Sequence, residues 1–336
     1  MKCISFAVPS YNSEGYLHIC LDSLLKGGED DEIIVVDDGS KDRTGQIADE
    51  YQAKYPSIIR VIHQPNGGHG EGINAALKIA TGLFFKVVDS DDWVVTDTLL
   101  AMTEKIKKEN DLPDLFINPF FNCWGDEKTV SLVGFNGIFP AEGKTVGWSE
   151  ISHLKTGQFF TIHSCMFKTS LLQASGFLLP QHTFYEDNLY IYESLSLVKT
   201  VQYSSLPFYC YLLGRPGQSM NRDLGIRRYK DFLTVCQLAF GAYDLYKIPD
   251  KDLRRLLYHQ IKMIFFTAVI HTNVNKTREA KADFRSFKKA IRASNPRLAR
   301  KLLGFSSVSC LAWPGFLGRL NSRFVYWCAS FRRESN

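Results

Sequence analysis

The chain has 336 residues, 45% of them apolar and 13% aromatic, with 40 Lys and Arg against 35 Asp and Glu. That much apolar material fits one large core or two modest ones, and it excludes a disordered or low-complexity chain. The eight cysteines (Cys3, Cys20, Cys123, Cys165, Cys210, Cys236, Cys310, Cys328) form no C-x-x-C pair, so zinc spacing is absent and reduced thiols in a reducing cytosol are expected.

The first hundred residues alternate strand and helix signals. Met1-Lys2-Cys3-Ile4-Ser5-Phe6 enters a strand at once, which leaves no room for a signal peptide and predicts a cytoplasmic protein. That strand, Ile4 to Val8, is ended by Pro9. Helical periodicity runs from Glu14 to Lys26 through Leu17, Cys20, Leu21, Leu24 and Leu25. Glu32 to Val36 is a second apolar strand that ends in Asp37-Asp38-Gly39-Ser40, and Asp42 to Lys54 reads as a helix. Ile58 to Ile62 is a third strand, followed by Pro65-Asn66-Gly67-Gly68 and a helix from about Gly70 to Ala80. Leu83 to Val88 then leads into Asp89-Ser90-Asp91-Asp92. Short apolar strands separated by helices predict an α/β fold with a parallel sheet covered on both faces. In such a sheet the strand ends share one edge, so the three segments after strands converge into one site.

Aromatic- and glycine-rich stretches from Pro113 to Trp148 read as antiparallel strands, and a helix opens near Tyr185-Glu186-Asp187. Val201 to Leu213 reads as two short strands around Pro207. Beyond about Gly225 the chain is mostly helical to Leu303, with amphipathic stretches Ile226 to Tyr246, Leu253 to His271 and Ala280 to Ala293. Three parts follow: residues 1–110, residues 111–224, and 225–336, a basic helical extension. From Asp250 onward there are 18 Lys and Arg against 5 Asp and Glu, whereas the preceding residues hold 22 against 30. An acidic body with a basic tail calls for an anionic partner at that end, although a solvated helical surface also explains a charge run. In the tail Phe316, Leu317, Leu320, Phe324, Val325 and Trp327 interleave with Arg319, Arg323, Arg332 and Arg333. That composition suits an interfacial contact with an anionic membrane, or packing on protein. No recognition fold accompanies it, so nucleic acid is not an expected partner.

Three carboxylates within Asp89-Ser90-Asp91-Asp92 repel one another unless a cation holds them, and oxygen ligands suit Mn2+ or Mg2+. A cation there would offset the charge of a leaving diphosphate. Asp92 could instead cap the helix after Thr96. Lys86, inside an apolar strand, must snorkel or pair with an acid, and the acidic site is the favoured partner. Asp38 can accept hydrogen bonds from a base or ribose. The loop Asn66-Gly67-Gly68-His69-Gly70 lets backbone approach a ligand, which makes Asn66 and Gly68 candidate nucleotide contacts. His69, His163 and His182 are candidates for phosphate or acceptor contacts, though a lone histidine is more often a structural hydrogen-bonder. Glu186-Asp187 at a helix start is explained equally by the helix dipole.

Val8-Pro9-Ser10-Tyr11-Asn12, Val35-Val36-Asp37-Asp38-Gly39-Ser40 with Asp42-Arg43-Thr44, Asn66 to Asn74, and Val88-Asp89-Ser90-Asp91-Asp92 occur in the order and spacing of glycosyltransferase family 2. The resemblance covers roughly residues 3–220 and is closest to a bacterial subgroup acting on cell-surface polysaccharides. It implies a GT-A fold, with residues 1–110 as its nucleotide-sugar-binding half and 111–224 as its acceptor-binding half. It also implies an inverting, metal-dependent transfer from a nucleotide-diphosphate sugar, expected to be a UDP-sugar, to a glycan or lipid-linked acceptor. Carried over by position, Pro9 and Tyr11 would lie against the nucleobase and Asp38 would bind it. Asp89 would sit near the ribose, and Asp89-x-Asp91 would hold the metal. Asp187 would be the general base. Lys86, Asp92, His182, Glu186, Arg215, Gln218 and Ser219 would contact diphosphate or acceptor, the last three in a segment that closes over the diphosphate. Where many members read Ala-Arg-Asn, this chain reads Gly72-Ile73-Asn74 and lacks the arginine, so the nucleotide's identity is left open.

Two rivals compete. A sugar-nucleotide nucleotidyltransferase usually carries a glycine-rich basic loop after the first strand, but Pro9-Ser10-Tyr11-Asn12-Ser13 has no Lys or Arg. A non-catalytic scaffold that retains the fold would have no need of Asp91 and Asp187, both of which are present.

Overall fold

A computed structural model describes residues 2–124, 130–155, 157–215, 218, 222–275 and 277–304. The chain divides into two compact units, Met1–Pro216 and Gly217–Asn336. In the first unit the α/β alternation runs β1 (Ile4–Ser10), α1 (Leu17–Leu24), β2 (Glu32–Asp37), α2 (Thr44–Lys54), β3 (Ile59–His63), α3 (His69–Ile79) and β4 (Phe84–Val87). It continues with β5 (Trp93–Val94), α4 (Thr96–Lys108), β6 (Leu115–Ile117), β7 (Phe120–Trp124), β8 (Val130–Val133) and β9 (Thr145–Gly147). The unit closes with β10 (Cys165–Lys168), α5 (Thr169–Ser175), α6 (Asp187–Leu195), β11 (Thr200–Tyr203) and β12 (Tyr209–Leu213).

Eight strands form one sheet in the order β3-β2-β1-β4-β10-β6-β11-β9. The first four are mutually parallel, and β10 enters antiparallel between β4 and β6. β1 and β2 are buried at every position, as continuous apolar runs covered on both faces must be. A second sheet, β5-β12-β7-β8, pairs β12 with β5 antiparallel and with β7 parallel. The sheet thus mixes strands from both sides of residue 110. The sequence reading places no strand at Cys165–Lys168, where two long-range pairings rather than a local pattern create β10. It also draws the first helix too long. Ser13 N–H donates to Thr44 Oγ1 at 2.7 Å and Glu14 N–H to Asp42 Oδ2 at 3.1 Å, so this loop is held outside α1. All six described cysteines are free thiols, as expected.

The amino ends of the central strands are sealed by Glu32, whose Oε1 accepts from Ser5 Oγ at 2.5 Å and from the N–H of Gly82 at 3.1 Å. A Cβ on Gly82 would come 2.6 Å from Ser5 N and 2.7 Å from the Ile4 carbonyl carbon, both backbone atoms. Gly82→Ala is therefore expected to cost about 1–3 kcal/mol, read as a lower denaturant midpoint in urea unfolding. An unchanged midpoint would show that β1 and β4 can part there. With this end closed, the opposite edge is left for ligands.

The second unit is helical: α7 (Arg222–Arg227), α8 (Tyr229–Ala242), α9 (Lys251–Val274), α10 (Arg278–Ser294) and α11 (Pro296–Leu303). The single stretch expected from Ile226 to Tyr246 is broken at Arg228 into α7 and α8. Asp250, Thr277 and Asn295 cap α9, α10 and α11. α10 buries Ala280, Phe284, Phe287 and Ile291, while Arg278, Lys281, Arg285, Lys289 and Arg292 are exposed. No helix among the described residues is long and apolar enough to cross a membrane. The aromatic and arginine pattern from Phe316 to Arg333 lies outside the described residues.

Candidate active site

The carboxyl ends of β1 to β4 bring together the segments after Ser10, Asp37, His63 and Val87, the edge where open α/β sheets bind ligands. Pro9 is buried in β1, and Tyr11, just past its end, is 48% exposed. Asp38, 3% exposed, accepts from Gly67 N–H at 2.8 Å and Gln64 Nε2 at 2.8 Å through Oδ1, and from Gly68 N–H at 2.7 Å through Oδ2. Asn66 Nδ2 donates to the Asp38 carbonyl at 2.9 Å. Asp38 and Asn66 thus shape the glycine loop against the end of β2. Asp37 is tied to Ser40 N–H and His63 Nδ1, both at 3.0 Å.

The glycines of this loop meet a distant segment. Gly68 (φ +89°) immediately precedes α3, and a Cβ there would lie 3.0 Å from the His182 nitrogen. At Gly70 a Cβ would lie 2.9 Å from Glu186 Cγ and 3.0 Å from Leu179 Cβ, and at Gly72 3.0 Å from Pro9 Cβ. A side chain at position 72 would press on Pro9 unless that ring gave way by a few tenths of an ångström, and Ile73, which stands where many members carry the arginine, is buried. His182 N–H donates to the Gly67 carbonyl at 2.7 Å, and Asn74 holds both the N–H and C=O of Leu179 at 3.0 Å. The His182 side chain itself is exposed.

The acidic cluster separates into three environments. Asp89 Oδ1 accepts from His69 Nε2 at 2.8 Å. Burial pushes Asp89 up, but the His69 charge and hydrogen bond outweigh it and hold the carboxyl below its usual range. Asp91 Oδ2 accepts from Arg215 Nε at 2.7 Å, and burial and then the Asp89 charge raise its pKa against that pairing. Asp92 is fully buried, accepts from Tyr209 Oη at 2.5 Å and Leu212 N–H at 2.8 Å, and is raised well above the carboxylate range by burial and its acidic neighbours. It does not cap α4, which has no side-chain cap. Asp92 thus ties the acidic cluster to β12.

The donor set fits a hard divalent cation. Ligand atoms of Asp89, Asp92 and His163 lie within 4.8 Å of one another, whereas Asp91 is paired with Arg215. Burial pulls the His163 imidazole down to about 4, so it is neutral. It stacks on Tyr211 with ring centroids 4.2 Å apart. The expected acid partner for Lys86 is not there. Its ammonium donates instead to the carbonyls of Ile162 at 2.9 Å, His163 at 2.6 Å and Cys165 at 3.1 Å. Burial lowers this lysine to about 7, yet three converging carbonyls are acceptors that an ammonium satisfies best. Lys86 therefore holds the His163 segment in place, at a distance in sequence that periodicity cannot reveal.

Glu186, 3% exposed, accepts from His69 Nδ1 at 2.6 Å, and Asp187 follows as the first residue of α6. Burial would lower the His69 imidazole, but Asp89 and Glu186 on its two sides raise it well above its ordinary range. Burial and then the Glu186 charge push Asp187 up to about 7. Sequence reasoning listed His69 without assigning it a partner, and it missed Tyr209, which links Asp92 to the Asp89 N–H at 3.1 Å. Gln218 is buried in the second unit, and Ser219 lies outside the described residues.

Residues 5–170 match the family model described as Glycosyl transferase family 2. Residues 5–170, just under half of the chain, thus read as a glycosyltransferase family 2 domain. Among curated relatives, the chain is 41% identical over 38% of its length to 36% of the uncharacterized glycosyltransferase EpsJ of Bacillus subtilis. It is 32% identical over 65% of its length to 33% of the poly(ribitol-phosphate) beta-glucosyltransferase of Bacillus spizizenii. The chain thus spans about a third of the length of these relatives. Residues 1–349 of S. aureus TarS, solved with UDP, superpose with a TM-score of 0.68 at 21% identity, over 90% of this chain and 83% of that one. A mannosyltransferase from Pyrobaculum calidifontis, solved with GDP-Man and Mn2+, gives a TM-score of 0.51 at 16% identity, over 89% and 82%. These likenesses bear out the expected GT-A-like α/β fold, a mostly parallel sheet followed by a helical part.

Proposed function

We propose that this chain is a metal-dependent, inverting glycosyltransferase moving a sugar from a UDP-sugar to a hydroxyl of a glycan or lipid-linked acceptor in surface-polysaccharide synthesis. One observation carries the reading: a carboxyl pushed up to about 7, Asp187, follows Glu186, which His69 joins to the Asp89 carboxylate of the cation motif. Inverting transfer needs a base on one face of the sugar and charge stabilisation for the departing diphosphate on the other. Asp187 would take the acceptor proton. Asp89 and Asp91 would hold Mn2+ or Mg2+, which when bound supplies positive charge for the diphosphate. Pro9, Tyr11 and the loop shaped by Asp38, Asn66 and Gly68 would form the nucleotide wall. Arg215, which donates to Asp91, would exchange that carboxylate for phosphate.

Similarity to a poly(ribitol-phosphate) glucosyltransferase, and to TarS structures holding UDP and UDP-GlcNAc, supports a UDP-linked donor and a surface-polymer acceptor. The exposed basic side of α10 supports peripheral contact with an anionic surface at the cytoplasmic face of the membrane. Incubation with UDP-glucose or UDP-GlcNAc, Mn2+ and polyol-phosphate or glycan acceptors, read by NMR at the anomeric carbon, tests the proposal. Inverted product is expected; retained configuration rules the mechanism out.

The base also sets a pH dependence. Asp187 must be ionised to accept a proton, so log kcat/KM is expected to rise with unit slope below about pH 7 and level off above it. A profile flat from pH 5 to 8 would remove Asp187 from that role.

A further inference from the structure

We infer that His69 is a positioning residue, a two-ended bridge that sets the base-bearing start of α6 against the cation motif. The inference rests on the transferase reading for its function, and on geometry alone for its existence. His69 opens α3, and its ring reaches Glu186 Oε1 at 2.6 Å on one edge and Asp89 Oδ1 at 2.8 Å on the other. These two carboxylates lie 97 residues apart in sequence, one beside the base and one in the metal motif.

An imidazole suits this place because it is a short, flat spacer with nitrogen on two edges. Asn or Gln reaches only one partner at this span, and Lys or Arg lacks the rigidity. The surroundings leave the bridge little play. On one side of His69, Gly68 leaves only 3.0 Å between a would-be Cβ and the His182 nitrogen; on the other, a Cβ at Gly70 would come 2.9 Å from Glu186 Cγ. The Gly67 carbonyl and Asn74 hold His182 and Leu179 by backbone hydrogen bonds. The segment from Leu179 to Glu186 is therefore fastened to α3 at three points, and His69 is the one that continues to Asp89.

Transfer requires the base and the leaving group to keep a fixed separation, and a misplacement of about 1 Å costs on the order of 100-fold in rate. Loss of His69 removes the direct link between the two sides while leaving the residues that act on substrate in place.

The test uses the full chain as wild type, His69→Ala and His69→Gln, with three readouts. Hydrogen–deuterium exchange reports the peptides covering residues 179–190, calorimetry gives the Kd for UDP with Mn2+, and steady-state assay gives kcat and donor KM. Expected for His69→Ala are faster exchange in 179–190 with β1 to β4 unchanged, nucleotide Kd within about threefold of wild type, and kcat lower by about 100-fold. Partial recovery is expected in His69→Gln. Unchanged exchange in 179–190 would overturn the bridge, and so would faster exchange with an unchanged kcat. A wild type that binds no nucleotide contradicts the transferase reading instead, and the exchange arm still decides whether His69 fastens α6.

Discussion

Replacing Asp187 with Asn is expected to lower kcat by about 10²–10⁴-fold while leaving UDP affinity unchanged, because a general base acts on the acceptor and does not hold the nucleotide. The same substitution is not expected to destabilise the protein. Burial and the Glu186 charge raise the Asp187 carboxyl to about 7 from an ordinary value of 3.8. A carboxyl raised in the folded state contributes stability below its unfolded pKa and loses that contribution as pH rises through the folded value. At pH 8 the ionised side chain is thus a liability, and Asn relieves it. Activity assay and thermal unfolding at pH 8 give the comparison. A variant that loses activity and melts earlier would assign Asp187 to structure, and one that keeps full activity would place the base elsewhere.

Asp91→Ala is expected to weaken metal-dependent nucleotide binding by at least about 10–100-fold, the range already seen for groups one shell removed from a metal. Asp91 accepts from Arg215 and is raised by burial and by Asp89, so a largely buried carboxylate is held there against repulsion. Removing it relieves that repulsion, and the melting temperature should not fall. Calorimetry with UDP at fixed Mn2+ checks the affinity. Wild-type binding by Asp91→Ala would leave Asp89 and His163 as the cation's ligands.

The part of the fold legible in the sequence is the part whose signals are local. β2 to β4 are short apolar runs closed by Asp37-Asp38, Pro65 and Asp89, whereas β1 runs on through Pro9 to Ser10 by pairing with β2; the shared edge follows from parallel topology. β10 escaped because Cys165–Lys168 becomes a strand only by pairing with β4 and β6. The same segment misled the reading of Lys86. An ammonium in an apolar strand reads as seeking an acid, whereas three carbonyls between Ile162 and Cys165 satisfy it. Asp92 was legible as an acid and illegible as a brace, since its partners Tyr209 and Leu212 lie more than a hundred residues onward. His69 is the converse case. Its place in a glycine loop after a strand was plain, but its two carboxylates are neighbours only in the folded chain.

The most direct test of the nucleotide site at this sheet edge is calorimetric titration of the wild-type protein with UDP and GDP, each with Mn2+ and again with EDTA. Saturable binding of UDP that disappears with EDTA is the predicted result. A folded protein that binds neither nucleotide under either condition would contradict it.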